Sequence, residues 1–532
     1  MGGAISFVLV CHLFLHTTLA LDNGLGTTPA MGYNSWYDFG CSGSLNETNV
    51  MATADSLVNS GLSRLGYVYI NLDDCWASGR YSNGTVYPDS KRFPSGMKAL
   101  ADYIHSKGLK FGVYTDRGTA TCGGRPGSQD HEEIDAKTYA YWGVDYVKED
   151  SCHASGDRES AFTQYAKMRD SLNATGRPIY YSLCGWNRWY APIGYSLANS
   201  WRIGPDDSNW GAILKNIDIN ANLANYAGPG GWNDPCLLLG ATYTGSLRIT
   251  EMQQRTQFNM WAVMASPLLL SSNVRKISSF AVETYSNKDV IAVNQDPIGR
   301  QGIRLAGTDL SSQTLPPAHV APCNSSSTSQ LWVWDTDLIG MVFTGNEEKC
   351  LNVNNCGTDV IYYHCVKSGG TCCGASCYKN ELWTLTNSGQ LISQLTNSCA
   401  TVNSDNTISL QKCQPDQPSQ KWSYSNETET FVTPNKMCLD GNPEISSGGT
   451  NVWGRELADG SWALVFLNAG TSAANITCDA TCFTSTGFDS STKLSVTDLW
   501  MHTENGTTTG GGFTAMNVPA DGGSVMIKLT RL

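Results

Sequence analysis

A rhythm of short apolar strand, polar turn and amphipathic helix repeats eight times between Leu21 and about Ala306. Apolar runs bounded by turn residues place strands near Met31–Ser35, Tyr67–Leu72, Lys110–Tyr114, Val144–Val147, Pro178–Leu183, Ser200–Arg202, Trp232–Leu237 and Pro267–Leu270. Between them, Met97–Ser106, Arg158–Leu172 and Glu251–Met264 carry apolar residues at helical spacing. Eight such alternations over this length predict a (β/α)8 barrel. A doubly wound open sheet is the alternative, and no Gly-rich phosphate fingerprint supports it.

In a barrel of parallel strands the carboxyl ends carry the chemistry. Here those ends are polar or aromatic: Asn34-Ser35-Trp36, Asp73-Asp74-Cys75-Trp76, Tyr114-Thr115-Asp116-Arg117, Cys184-Gly185-Trp186, Arg202 to Asp207, and Asn233-Asp234-Pro235-Cys236. The fourth, Tyr146-Val147-Lys148-Glu149-Asp150-Ser151-Cys152, turns a buried strand into two acids and a lysine. Charge at the end of a buried strand is costly unless paired or used. Asp150 is therefore a candidate nucleophile and Lys148 a candidate substrate-binding cation, against the blander reading of a structural ion pair. One rim gathers carboxylates, cations and aromatic faces. A sugar pocket is built this way, with polar groups for hydroxyls and aromatic faces for the C–H side of the ring.

Beyond the barrel segment the character changes twice. From about Thr308 to Thr450, Ser, Thr, Asn and Cys dominate and helical periodicity disappears. Gln330-Leu331-Trp332, Glu381-Leu382-Trp383 and Gln420-Lys421-Trp422 echo one another, with Cys350-Leu351-Asn352, Cys399-Ala400-Thr401 and Cys438-Leu439-Asp440 between or after them. This three-fold repeat resembles the ricin-type β-trefoil lectin, in which each lobe buries its Trp in a shared core. Only Asp440 fills the acidic position after Cys-Leu, so sugar binding by the insert stays open. A disulfide-rich β insert with chance echoes is the alternative. From Asn451, alternating runs at Trp462–Leu467, Leu494–Val496 and Val525–Leu529 predict an antiparallel β-sandwich. The expected division is 1–20 signal peptide, 21–306 barrel, 307–450 trefoil-like insert and 451–532 sandwich.

Residues 1–20 read as a secretory signal, apolar from Ile5 to Leu15 and ending in Thr18-Leu19-Ala20, although without Lys or Arg at the start. That apolar run is too short to span a membrane. Eighteen of the 19 cysteines lie beyond it, an even and high count that points to disulfides in an oxidising compartment. Glycosylation sequons at Asn46, Asn83, Asn173, Asn324, Asn426, Asn475 and Asn505 agree. Secretion is expected, with a lysosome or vacuole as the alternative. The net charge of −12 is the wrong sign for a nucleic-acid partner. No histidines stand at metal-ligand spacing, so neither metal nor cofactor is expected. Nothing in the sequence fixes an oligomeric state.

The barrel segment resembles glycoside hydrolase family 27, the α-galactosidases and α-N-acetylgalactosaminidases. The resemblance rests on Met31-Gly32-Tyr33-Asn34-Ser35-Trp36, Asp73-Asp74-Cys75-Trp76, Tyr146 to Cys152, Ser200-Trp201-Arg202 followed by Asp206, Ala227 to Pro235, and Asn294-Gln295-Asp296-Pro297. It implies a retaining exo-glycosidase acting on terminal α-galactosyl groups, with one carboxylate as nucleophile and one as acid/base. The nucleophile maps to Asp150. The acid/base maps to Asp206, counting from Arg202; the segment is one residue shorter than usual, and counting back from Trp210 gives Asp207 as the alternative. Asp73 and Asp74 match the pair that grips the 4- and 6-hydroxyls of galactose. Lys148 and Arg202 match hydroxyl-binding cations, Trp36 an aromatic wall, and Tyr114 a residue bonded near the nucleophile. Cys184 and Trp186 match the plant-type loop facing the 2-hydroxyl.

The resemblance also implies disulfides Cys41–Cys75 and Cys122–Cys152. Cys184 and Cys236 are then left over in the barrel segment, both at the rim, and position 236 lacks the family's usual acid. Two free thiols in an oxidising compartment would be a liability. A Cys184–Cys236 bridge is therefore expected, the alternative being a free, buried Cys184. Within the family, an α-N-acetylgalactosaminidase would need small residues where Trp186 stands, and a β-L-arabinopyranosidase would not need the Asp73-Asp74 pair. A lectin on an inactive barrel would have lost Asp150, Asp206 or Lys148, and it has lost none of them.

Overall fold

The computed structural model describes residues 21, 23–240, 249–311, 318–335, 338–341, 349–354, 357–364, 371–372, 375–441 and 449–532. The expected signal peptide, 1–20, lies outside them. Eight parallel strands form the barrel: β1 Met31–Asn34, β2 Tyr69–Asn71, β3 Lys110–Asp116, β4 Tyr146–Asp150, β5 Tyr180–Leu183, β6 Ser200–Arg202, β7 Trp232–Asp234 and β8 Leu268–Leu270. They pair in the order β8-β1-β2-β3-β4-β5-β6-β7. Leu238, just past β7, closes the ring by donating to Leu269 O at 2.9 Å and accepting from Ser271 N at 2.9 Å. Every expected strand is present. The seventh is shorter than expected, because the backbone breaks at Cys236, whose φ is +142°.

Strand periodicity decides what each side chain meets. Along β4, Tyr146 faces inward and Val147 faces the helical layer. Tyr69, Tyr146, Tyr180 and Leu269 fill the barrel's interior, with Tyr146 stacked on Tyr180 at 4.8 Å. That plug forms a floor, above which Lys148 and Asp150, in phase with Tyr146, reach the rim.

An eight-stranded antiparallel sheet forms the sandwich, folding over a core that includes Leu464, Phe466, Phe483, Leu494 and Ile527. Its edge strand is Ile303–Ala306, which the sequence reading placed in the barrel segment. It pairs with Thr450–Glu456, so the insert leaves and returns between two adjacent strands. Barrel and sandwich form one compact unit. Helix Glu251–Val263 ties them together, opening with a Thr250/Gln253 capping box. Two of its buried polar residues meet the sandwich: Gln253 Nε2 donates to Asp521 O at 2.9 Å and Thr256 Oγ1 to Gly522 O at 2.6 Å. Buried Arg455 answers from the sandwich, donating to Ala262 O at 3.1 Å and Asn294 O at 3.0 Å.

Residues 312–448 are a second compact unit. Three four-stranded sheets repeat in it, and each echo of the sequence is a repeated contact. The indole N–H groups of Trp332, Trp383 and Trp422 donate to the carbonyls of Leu439, Leu351 and Ala400, each at 2.9 Å. Each acceptor is the residue after a cysteine. The side chain two residues before each Trp reaches the residue after that acceptor. Gln330 donates to Asp440 at 2.8 Å, Gln420 donates to Thr401 at 3.1 Å, and Glu381 accepts from Asn352 at 3.2 Å. A buried indole N–H left unpaired would cost about 1–3 kcal/mol. The repeat therefore encodes hydrogen-bond satisfaction as well as a shared apolar core. Disulfides Cys323–Cys438 and Cys399–Cys413 lie in this unit. The sandwich carries Cys478–Cys482.

Candidate active site

Trp36, Asp73, Asp74, Tyr114, Lys148, Asp150, Trp186, Arg202 and Asp206 line a single pocket at the carboxyl ends of the barrel strands. Loops after β1, β2, β5 and β6 and the ends of β3, β4 and β6 supply them. Lys148 Nζ donates to Asp73 Oδ2 at 2.7 Å and lies 5.2 Å from the centre of the Tyr114 ring. Asp73 also accepts from Asn34 Nδ2 at 2.8 Å, and its backbone N–H donates to Ser35 Oγ at 2.8 Å. Asp74 accepts from Gly123 N at 2.6 Å, a donor on the loop held by Cys122–Cys152. Cys41–Cys75 holds the loop on the other side. Cys75 and Trp186 have φ of +76° and +51°, backbone strain of the kind kept at functional sites.

Asp150 ends β4 with one oxygen accepting from Tyr114 Oη at 2.8 Å and the other from Ser151 N at 3.0 Å. Burial pushes its carboxyl up to about 6, against the Lys148 ammonium and the Tyr114 hydroxyl, which hold it down. Asp206 faces it electrostatically in the opposite state. Burial raises its carboxyl too, but Arg202, paired at 3.0 Å, and then Lys148 outweigh that and hold it below the usual range. The two carboxyls of one pocket are thus driven apart, Asp150 upward by burial and Asp206 downward by its Arg202 partner.

The two ways of counting across the shortened loop end differently in space. Asp206 lines the pocket, with its side chain 52% exposed. Asp207 is fully buried on the other side of the backbone, accepting from Asn216 Nδ2 at 2.7 Å and Gln257 Nε2 at 3.1 Å. Burial pushes its carboxyl well above the normal range.

The expected Cys184–Cys236 bridge is corrected: both are free and buried. Cys184 follows β5 and Cys236 follows β7, with β6 between. Neighbouring strands lie about 4.8 Å apart, so two steps give nearly 10 Å, beyond the roughly 7 Å a disulfide allows between Cα atoms. Arg202 of β6 occupies the gap, its guanidinium 3.8 Å from Cys184 Sγ. Cys236 Sγ accepts from Asp207 N at 3.4 Å instead. Cys184 is therefore set beneath Arg202 rather than on the pocket wall. Tyr37 and Leu237 do line the wall, and the sequence reading gave neither a role. Tyr37 directly follows Trp36 in the aromatic rim, which was the available signal, whereas an apolar Leu237 offers none. Asp116, Cys122 and Cys152 also cluster, but the two sulfurs are joined to each other and are not available as thiolate ligands.

Residues 28–296 match the family model described as alpha galactosidase A. The chain belongs to the alpha-galactosidase family. Residues 339–461 match the ricin-type beta-trefoil lectin domain, and 447–529 the alpha galactosidase C-terminal beta sandwich domain. An alpha-galactosidase of Oryza sativa subsp. japonica is 47% identical over 294 residues, which are 54% of this chain and 68% of that one. A probable alpha-galactosidase of Dictyostelium discoideum is 44% identical over 302 residues, 56% of this chain and 76% of the relative. Among solved structures, alpha-galactosidase I of Mortierella vinacea superposes with a TM-score of 0.64 at 26% identity, covering 96% of this chain and 98% of that one. Among the described residues, no helix is long and apolar enough to cross a membrane.

Proposed function

We propose that this chain is a secreted retaining exo-glycosidase that hydrolyses terminal α-D-galactosyl groups by double displacement. The observation that carries the reading is the pairing of Asp150 and Asp206 in one pocket that also holds the Lys148–Asp73 pair and two tryptophans. Asp150 attacks the anomeric carbon and forms a glycosyl-enzyme. Asp206 protonates the leaving oxygen, then takes a proton from the water that releases the sugar. Retention calls for about 5–5.5 Å between the two carboxyls in the working complex. Asp206 must first carry a proton, so a seated substrate has to loosen its pair with Arg202. The two groups titrate as a coupled pair.

Asp73 and Asp74 receive the 4- and 6-hydroxyls, and Lys148 and Arg202 the other ring hydroxyls. Trp36 and Trp186 take the apolar face, and Trp186 leaves little room for a 2-acetamido group. Tyr114 orients the Asp150 carboxylate. Secretion rests on residues 1–20, the sequons and the disulfides.

The test is Asp150→Ala. Turnover on p-nitrophenyl α-galactoside should vanish, and azide should restore part of it with a β-configured galactosyl azide as product. A near-native rate, or an α-configured azide, would end the double-displacement reading. A panel adding the α-N-acetylgalactosaminide and the β-L-arabinopyranoside decides the sugar.

A further inference from the structure

A second polar–aromatic surface lies away from the pocket. The hairpin Ala77–Arg80 and Val86–Pro88 turns through Tyr81-Ser82-Asn83-Gly84-Thr85. Gly84 N donates to Tyr81 O at 2.9 Å, Tyr81 N donates to Thr85 O at 2.9 Å, and Gly84 has φ of +87°. That is a type I turn closed by a G1 bulge, the three-residue hairpin loop. The pairing sets Tyr81 and Thr85 opposite each other on one face, with Asn83 between them at the tip. The tip is rigid: Arg80, paired with buried Asp135 at 2.6 Å, also donates to Gly84 O at 2.8 Å. Yet Tyr81 is 60% exposed, supported on its far side by Tyr87 at 4.6 Å between ring centres. Tyr81, Thr85 and Tyr87 line a groove of about 490 Å³ that ends at Tyr141, itself 72% exposed.

The open Tyr81 face stands beside an attachment point that the chain itself supplies. Asn83-Gly84-Thr85 is an N-glycosylation acceptor. Asn83 is exposed and its Oδ1 accepts from Thr85 N at 3.1 Å, and among the described residues no acceptor takes its Nδ2. Asn46, by contrast, spends its side chain on a helix cap and donates to Gly43 O at 3.0 Å. Asn505-Gly506-Thr507 repeats the triplet with Thr503 where the first hairpin has Tyr81, and so serves as a built-in control.

We propose that Asn83 carries an N-linked glycan whose first N-acetylglucosamine seats its C–H face on the Tyr81 ring and locks the hairpin tip. The donor is a lipid-linked diphospho-oligosaccharide. Asn83 Nδ2 bonds to C1 of its reducing-end sugar, and the C1–O bond to the diphosphate breaks with the electron pair leaving on the diphosphate. One carboxamide proton passes to the transferase's base. Tyr81 then covers the sugar's apolar face while the sugar's hydroxyls remain in water.

The experiment uses the full chain secreted from a eukaryotic host, with glycopeptide mass spectrometry at Asn83 and Asn505. Asn83 should be occupied. Trimming to a single N-acetylglucosamine should leave the melting temperature and the amide exchange of Gly84 and Thr85 unchanged. Complete removal with a peptide amidase should lower the melting temperature by about 1–2 °C and speed that exchange. In Tyr81→Ala the same complete removal should change neither, and galactosidase activity should be equal in all forms. Unmodified Asn83 in the secreted protein would overturn the proposal. So would an equal loss on complete removal with and without Tyr81, which would leave Tyr81 as a packing partner of Tyr87 alone.

Discussion

In the insert, Trp332, Trp383 and Trp422 are buried, and each gives its N–H to a carbonyl one residue past a cysteine. At the barrel rim, Trp36 and Trp186 are half-buried, and among the described residues no acceptor takes their indole N–H. Buried Glu149, on the outer face of β4, accepts from Tyr181 Oη, whereas Asp150 one residue later faces the pocket. One region uses its polar groups to satisfy itself, three times over. The other leaves them facing a hollow and bears the cost of burying unlike charges side by side. Polar groups held available rather than satisfied are what mark the working part of this molecule.

The largest expected effect would break that contrast if it failed. Asp150→Ala should lower kcat/KM by about 10⁴-fold or more, with the melting temperature unchanged or raised, because the carboxyl is buried at a cost. Calorimetry showing a collapse would make Asp150 structural. Next, Asp206→Asn should cost about 10²–10⁴-fold on galactosides with poor leaving groups and less on activated aryl galactosides. Asp207→Asn should show no such leaving-group dependence, since its oxygens are already bound by Asn216 and Gln257. The reverse result would move the acid to Asp207.

A smaller effect sharpens the electrostatics. Asp150 must be ionised while Asp206 carries the proton; with Asp150 at about 6 and Asp206 held below the usual carboxylate range, kcat/KM should be level between the two and fall as pH rises past about 6. The Tyr114 hydroxyl favours the carboxylate; Tyr114→Phe should move that limb upward and cost about tenfold, most of all below pH 6. An unmoved limb would mean that Tyr114 packs without tuning. The smallest effect belongs to the insert. Joining Ser311 to Gly449 in place of 312–448 should change turnover of an aryl galactoside less than about twofold, because among the described residues none from that segment lines the pocket. An inactive but folded deletion would show that the insert shapes the site.

The strands, the pocket acids and the repeat were legible because each is written locally. Alternation places Lys148 and Asp150 on one face of β4, and three Trp echoes announce three lobes. What was not legible is lateral. The place of Asp207 is fixed by Asn216, nine residues on, together with Gln257, fifty residues on in another helix. Cys184 and Cys236 were rightly placed at the rim, but a strand's end does not say what stands between it and the strand after next; here it is Arg202. Leu237 was missed because an apolar wall residue looks like any other.

The insert's own first and last strands, His319–Pro322 and Met437–Asp440, are hydrogen-bonded to each other, and Cys323–Cys438 fastens the same two ends. For the sandwich edge this changes the polymer problem. Ile303–Ala306 and Thr450–Glu456 are separated by about 140 residues of chain, yet once the insert has folded only its two short arms, about 20 residues, remain to be closed. Loop-closure entropy grows as the logarithm of length, so the pairing becomes cheaper by about 2 kcal/mol. The insert thus arrives at the sandwich as a short connector, and a chain that carries it need fold its edge hardly less readily than one that never acquired it.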